Sequence, residues 1–498
     1  MPGRCSAARG SHAGWDRRAP RTSCRACRPL PWSPRIQPSG YLATRLYIAP
    51  ALAPSSDLGV GSSKVFGLDI RPFERGTRLD LDQLDAAITE RAEAAFSFLE
   101  RLVAAPSTVG NEDEAQVIVE HELKRLGFEV ERLSIPEGIG DDPLAGVPQV
   151  PHAGRYDVIG RLGDGNDPSL LLNGHVDVVP AEQPDLWTSP PFEPRRDGDR
   201  MFGRGAGDMK GGFAMAMLAV DALMAAHPGA IGGSLLFASV IEEECTGNGT
   251  LAAARAGVLA DAAILPEPTG LDLLVAGVGI LWLDVVVTGW SAHAEAADRA
   301  VNPVDLSLRI VERLRGLERE MNTRIEPVMD GVAHPYNVNI GTFRSGDWPS
   351  SVPATATLRI RVGHPSAWSA EEAEARVRAA ILSAGEEERW LRDHPPAIRA
   401  SGFKARGYAL AADDPLAELV AASHETAHGA RPRAKPLAST TDARIYLNDF
   451  AVPALCYGPI AHDIHGIDES VELSSIVAGA RTLARFIGTW YADPPEHR

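Results

Sequence analysis

The run Leu170-Leu171-Leu172 breaks at Asn173-Gly174 and then presents His175 and Asp177 two residues apart, before Pro180 closes the segment. A short apolar run of this kind reads as a buried strand, and a strand buried in an open α/β sheet gathers chemistry at its C-terminal end. A core strand with one satisfied histidine fits the same residues. The rest of the chain decides between the two.

Around that strand, helical and strand-like periodicities alternate. Leu84, Ile88, Ala95, Leu99 and Leu102 recur at helical spacing up to Pro106, and a second helix runs from Glu112 to Leu126. Strands follow at Phe128 to Leu133 and Tyr156 to Leu162, separated by a Pro/Gly-rich loop from Ile135 to Gly154. After His175 come a glycine-dense stretch (203–212), the helix Phe213 to Ala226 and the strand Ser234 to Ile241, which ends in Glu242-Glu243-Glu244. The helix Thr250 to Ala256 and the strand Ala262 to Leu265 lead to Glu267. This alternation predicts an α/β fold with a mainly parallel sheet and flanking helices, over residues 80–276. From 277 to 400 the order becomes β-α-β-β-α-β, a ferredoxin-like α+β unit inserted into the larger one. Residues 401–498 return to the α/β pattern, with helices at Pro415 to His428 and Glu472 to Trp490 and a strand at Pro453 to Cys456.

Composition narrows the function classes. The formal net charge of −17 argues against a nucleic-acid binder, and the expectation is a cytoplasmic protein. No run approaches the roughly 20 uninterrupted apolar residues that span a bilayer. The first 46 residues carry nine arginines and a single acid, Asp16, so residues 1–63 read as a disordered extension or a misassigned start. Cys24 and Cys27 have zinc-ribbon spacing but no second pair within reach. The glycine-dense stretch lacks the Gly-Lys-Ser/Thr ending of a phosphate loop, which leaves a nucleotide site unsupported.

Two constellations could hold metal. His424-Glu425-Thr426-Ala427-His428 is a formal His-Glu-x-x-His match, the signature of a zincin endopeptidase. Against it, Gly429 and Pro432 end the helix at once, and no further histidine follows at the extended-motif spacing. The second set is His175, Asp208, Glu243, Glu244, Glu267 and His465, all just beyond strands or at a glycine-rich turn. Two imidazoles and three carboxylates suit a pair of divalent metals with one carboxylate between them, and one glutamate remains as a base.

In these residues the chain resembles the M20 metallohydrolases, the group of acetylornithine deacetylase and succinyl-diaminopimelate desuccinylase. The likeness runs from about Leu84 to the C-terminus. Five motifs in order carry it: Gly-His-Val-Asp (174–177), Gly-Arg-Gly-Ala-Gly-Asp-Met-Lys-Gly-Gly (203–212), Glu-Glu-Glu-Cys-Thr-Gly-Asn-Gly-Thr (242–250), Pro-Glu-Pro-Thr (266–269) and Ile-His-Gly-Ile-Asp-Glu (464–469).

The resemblance implies a di-zinc exopeptidase-like catalytic domain and an inserted lid that forms a homodimer. It implies that His175 and Glu267 bind one metal, that Glu244 and His465 bind the other, and that Asp208 bridges them. The metals would be two zinc ions, with cobalt or manganese as substitutes. Asp177 would orient His175 by hydrogen-bonding its far nitrogen, and Glu243 would be the general base. Glu242 stands where the family usually has Asp. The spacing to Asp468-Glu469 selects His465 over His462. His293, in Gly289-Trp290-Ser291-Ala292-His293, would stabilise the oxyanion from the partner subunit, although Trp290 replaces a usual basic residue. Arg361 and Thr440 fall where the family contacts a substrate carboxylate, with Arg359 a competitor on the same strand face. The implied reaction is hydrolysis of a small N-acylated amino acid, with a dipeptidase as the alternative.

Overall fold

The computed structural model describes residues 79–493 apart from 164, 166, 167 and 412. The 1–63 segment, with Cys24 and Cys27, lies outside the described residues.

A nine-stranded sheet forms the larger unit. At its centre Ser234–Val240, Ser169–His175, Ala263–Leu265 and Ala454–Cys456 lie side by side and parallel. Toward one edge Tyr156–Gly163 and Glu129–Ser134 run antiparallel. Toward the other, Leu273–Gly277 pairs antiparallel with Ala454–Cys456 and Tyr408–Ala409, and parallel with Ala434–Leu437. The parallel centre reads as uninterrupted apolar sequence because both of its faces are covered.

Leu81–Ala104 begins where the Asp80 carboxylate accepts the Gln83 N–H at 3.1 Å and stops at Ala105, before Pro106. It packs with Gly211–Ala226, Leu473–Ala492 and, through the last of these, Pro415–His428. The stretch Ala206–Ala226 is the one among the described residues long and apolar enough to cross a membrane, and it is mostly buried inside the protein. Its apolarity is that of a core helix. Gly212 permits a close approach at its start: a Cβ there would sit 1.8 Å from the Pro266 carbonyl oxygen. The glycines therefore press a helix against the strand end that carries Glu267.

The inserted unit has its own core and a four-stranded antiparallel sheet, in the order Val338–Ser345, Thr355–His364, Gly279–Thr288, Ala397–Ala405. With the helices Pro303–Met321 and Ala370–Leu382 this is the ferredoxin-like arrangement. The two passages between units run side by side: Ala405 pairs with Ile280 and Tyr408 with Gly277. The 135–154 loop contains one turn of 3₁₀ helix, Glu137–Asp141, and the Val147 N–H donates to the Gly402 carbonyl of the inserted unit at 2.8 Å.

Candidate metal centre

The parallel strands end at one edge, and their following turns converge. His175 closes its strand opposite Val240, so the Glu242–Glu244 turn emerges beside it. The His175 Nδ1–H donates to the main-chain carbonyl of Asp177 at 2.9 Å, which turns Nε2 toward the converging carboxylates. That nitrogen faces Asp208 Oδ1 at 3.3 Å, Glu267 Oε2 at 3.9 Å and Glu243 Oε2 at 4.0 Å. His465 Nε2 approaches Glu244 at 3.1 Å and the other oxygen of Asp208 at 3.4 Å. Asp208 thus lies between the two imidazoles. Ligand atoms of His175, Asp208 and Glu244 all fall within 4.8 Å of one another.

The expected role of Asp177 changes in one respect. Its carboxylate stays 3.8 Å from the His175 Nδ1 and instead accepts the N–H groups of Glu243 and Glu244, each at 3.2 Å. The residue orients His175 through its carbonyl and shapes the Glu243–Glu244 turn through its side chain. Glu242 points away from the centre, with Arg155, His152 and Thr246 as its partners in a buried network. An acid is needed there, and one more methylene than Asp is accommodated.

The donor set tests the implied metals. Four mostly buried carboxylates crowd together, an arrangement that is costly without compensating cations. Burial pushes Glu267 up to about 8 and Glu243 well above the ordinary carboxylate range. Glu244, with Asp208, holds His465 up to about 11. The same carboxylates hold the buried His175 well above the ordinary histidine range, so both imidazoles stand in a strongly negative site. Imidazole and carboxylate donors with this surplus of negative charge fit divalent borderline metals.

Two residues the sequence reading passed over support the centre. Glu469 Oε1 accepts the N–H groups of Gly207 and Asp208 at 3.0 and 2.9 Å. Its other oxygen pairs with Arg204 at 2.5 Å, and Arg204 also reaches the Gly466 carbonyl at 3.0 Å. A buried ion pair therefore ties the Asp208 loop to the His465 loop. Its signal was present: an arginine and an acid inside two of the five motifs.

A cavity of about 730 Å³ opens from the centre to the inserted sheet. Arg361 and Thr440 both line it. Arg361 donates to Asn337 Oδ1 and Ser439 Oγ, each at 2.9 Å, and has no carboxylate partner among the described residues. Arg359 also lines the cavity and is paired to Asp284 at 2.8 and 3.2 Å. The buried Thr440 hydroxyl has no protein partner. His293 does not line the cavity; it is exposed, and its Nδ1 accepts the Glu295 N–H at 3.1 Å.

The zincin reading does not survive. His424 and His428 lie on one face of Pro415–His428, but His424 Nδ1 engages the Tyr457 hydroxyl at 2.8 Å and His428 Nε2 the Thr482 hydroxyl at 3.0 Å. Glu425 is exposed and 3.8 Å from Arg431. The pair serves helix packing, and its glutamate is in solvent.

Known proteins share this architecture. The family profile described as Peptidase family M20/M25/M40 matches residues 171–489. A succinyl-diaminopimelate desuccinylase of Methylobacterium sp. (strain 4-46) is 31% identical over 79% of this chain and 96% of its own length. An N-formyl-4-amino-5-aminomethyl-2-methylpyrimidine deformylase of Halalkalibacterium halodurans is 24% identical over 82% and 97%. The di-peptidase Dug1p from Saccharomyces cerevisiae superposes with a TM-score of 0.69 at 16% identity, over 84% of this chain and 99% of that one.

Proposed function

The chain belongs to peptidase family M20/M25/M40, and from that premise we propose that this metal-dependent amide hydrolase is a deacylase of N-acylated amino acids, similar to acetylornithine deacetylase and working with two zinc ions. The observation that carries the reading is the placement of Asp208 between His175 and His465, at 3.3 and 3.4 Å, on the wall of a cavity that also holds the unpaired Arg361.

In this reading His175 and Glu267 would hold one metal, Glu244 and His465 would hold the other, and Asp208 would serve both. Bound divalent cations lower the pKa of water toward neutrality and polarise an amide carbonyl. Glu243 takes the proton of the attacking water and hands it to the leaving nitrogen. The Asp177 hydrogen bonds hold the main chain of the turn that carries Glu243. Arg361 and Thr440 receive the substrate carboxylate, a planar anion matched to a guanidinium fork.

His293 stabilises the oxyanion from the partner subunit of a homodimer formed through the inserted unit; its exposure outside its own chain's cavity supports this. The acidic balance and the buried free cysteines Cys245 and Cys456 support a cytoplasmic setting. The decisive test is Glu243→Gln with a panel of N-acyl amino acids and dipeptides, after chelation and restoration of zinc, cobalt or manganese. The variant should keep its metal and lose turnover by about 10²–10⁴-fold. Near-normal turnover would remove Glu243 from its role.

A further inference from the structure

The cavity wall that carries Arg361 is aromatic. Trp282 stands directly opposite Arg361 across the antiparallel pair, and Asn339 opposite Arg361 on its other side. Side chains at such positions lie about 4.5–5.5 Å apart on one sheet face. One row of the inserted sheet therefore presents amide, guanidinium and indole in sequence. Phe403 adds to it, edge-on to Trp282 at 5.4 Å between centroids, with the Arg444 guanidinium 5.3 Å behind its ring. Ile280, Leu274 and Leu437 continue the same apolar lining.

The charges of the cavity are committed elsewhere. Among its lining cations, Arg359 is held by Asp284, and Lys435 by the Thr269 carbonyl at 2.7 Å and Asp272 at 3.4 Å. His465 belongs to the acidic centre. Only Arg361 is free of a carboxylate, which makes it the one side chain of this chain's cavity lining with an uncommitted positive charge for a substrate anion away from the metal centre. A second carboxylate on the same half of the substrate would meet an indole and a phenyl ring without a counter-charge, which costs desolvation with no return. The indole N–H of Trp282 is buried and has no protein acceptor, leaving a donor that a bound ligand can satisfy.

We infer that the amino-acid half of the substrate is a mono-anion with a large apolar, preferably aromatic, side chain: Arg361 and Thr440 take its α-carboxylate, and Trp282 with Phe403 takes its side chain. This rests on the deacylase reading and narrows it. It also separates this chain from a desuccinylase that must hold a dicarboxylic amino acid.

The test compares kcat/KM for N-acetyl-phenylalanine, N-acetyl-leucine, N-acetylglycine and N-acetylglutamate on the metal-restored enzyme. The phenylalanine and leucine compounds should exceed the other two by at least about tenfold. Trp282→Ala should narrow the phenylalanine-to-glycine ratio at least about fivefold, and Trp282→Phe, which keeps an aromatic face, should restore most of it. Equal use of all four, or a variant that lowers all four alike, would overturn the inference while the deacylase reading stands. Hydrolysis of none of them, with dipeptides cleaved instead, would overturn the deacylase reading itself.

Discussion

Asp177 holds His175 with its backbone and not its side chain: the carbonyl is 2.9 Å from Nδ1, while the carboxylate serves the N–H groups of Glu243 and Glu244. One residue thereby sets the tautomer of one imidazole and the seat of the glutamate next to it. Asp177→Asn keeps the carbonyl but offers only one acceptor where two N–H groups converge. Metal content or kcat should fall by about 10–100-fold, with His175 still in place. Metal analysis alongside steady-state kinetics checks this, and a fully active variant would sink it.

Arg204 and Glu469 form a buried pair that spans the Asp208 and His465 loops. Arg204→Met strands the Glu469 charge in a dry site, which costs about 3–5 kcal/mol. The urea midpoint should drop accordingly. Metal affinity should weaken with it, because both loops that carry ligands lose their tie.

His424 gives a pH dependence away from the metal centre. Burial, with His428 beside it, lowers its pKa from 6.5 to about 4. Between those values the unfolded chain binds more protons than the folded one, so stability rises with pH across the window. The contribution is fully present above 6.5 and is lost as pH falls toward 4. Urea midpoints measured from pH 7 to pH 4 should decline. His424→Gln, which can keep a hydrogen bond to Tyr457, should flatten that decline without abolishing hydrolysis. Loss of activity in a folded His424→Gln, His428→Gln double variant would revive the zincin reading.

Gly402 seats the aromatic wall. Its φ is +57°, and a Cβ there would lie 2.4 Å from the Trp282 ring and 2.9 Å from the Cys245 carbonyl. Gly402→Ala should cost at least about 1–2 kcal/mol from the left-handed backbone alone. By displacing the indole it should also raise KM more than it lowers kcat. Thermal unfolding and the tryptophan fluorescence spectrum report the two effects separately.

Periodicity marked the parts of the fold where one pattern dominates. The strand Ser169–His175 and the helix Pro415–His428 lie at the expected residues, because unbroken apolarity and an Asp414–Pro415 start leave few alternatives. Short pieces were hidden. Leu273–Gly277 runs almost directly into the next strand, and Ala434–Leu437 carries Pro436, which ordinarily argues against a sheet. The helix Ala443–Asp449 is too short to show a period. At the site, the histidines and carboxylates singled out along the chain do come together in the fold. The division of labour within Asp177 was beyond reach, since it joins residues 66 and 67 positions apart through backbone atoms. Trp282 was visible only in retrospect. It shares a strand face with Asp284 and Val286, the less buried parity, where burial alone gives no reason for an indole.

Arg361 sits on the inserted sheet, yet one of its hydrogen bonds crosses to Ser439 of the larger unit. A guanidinium has five N–H donors, and only two of its contacts are taken by Asn337 and Ser439, so an anion can be received while that hydroxyl stays bound. The residue that would read the substrate's charge is at the same time a tie between the inserted sheet and the larger unit.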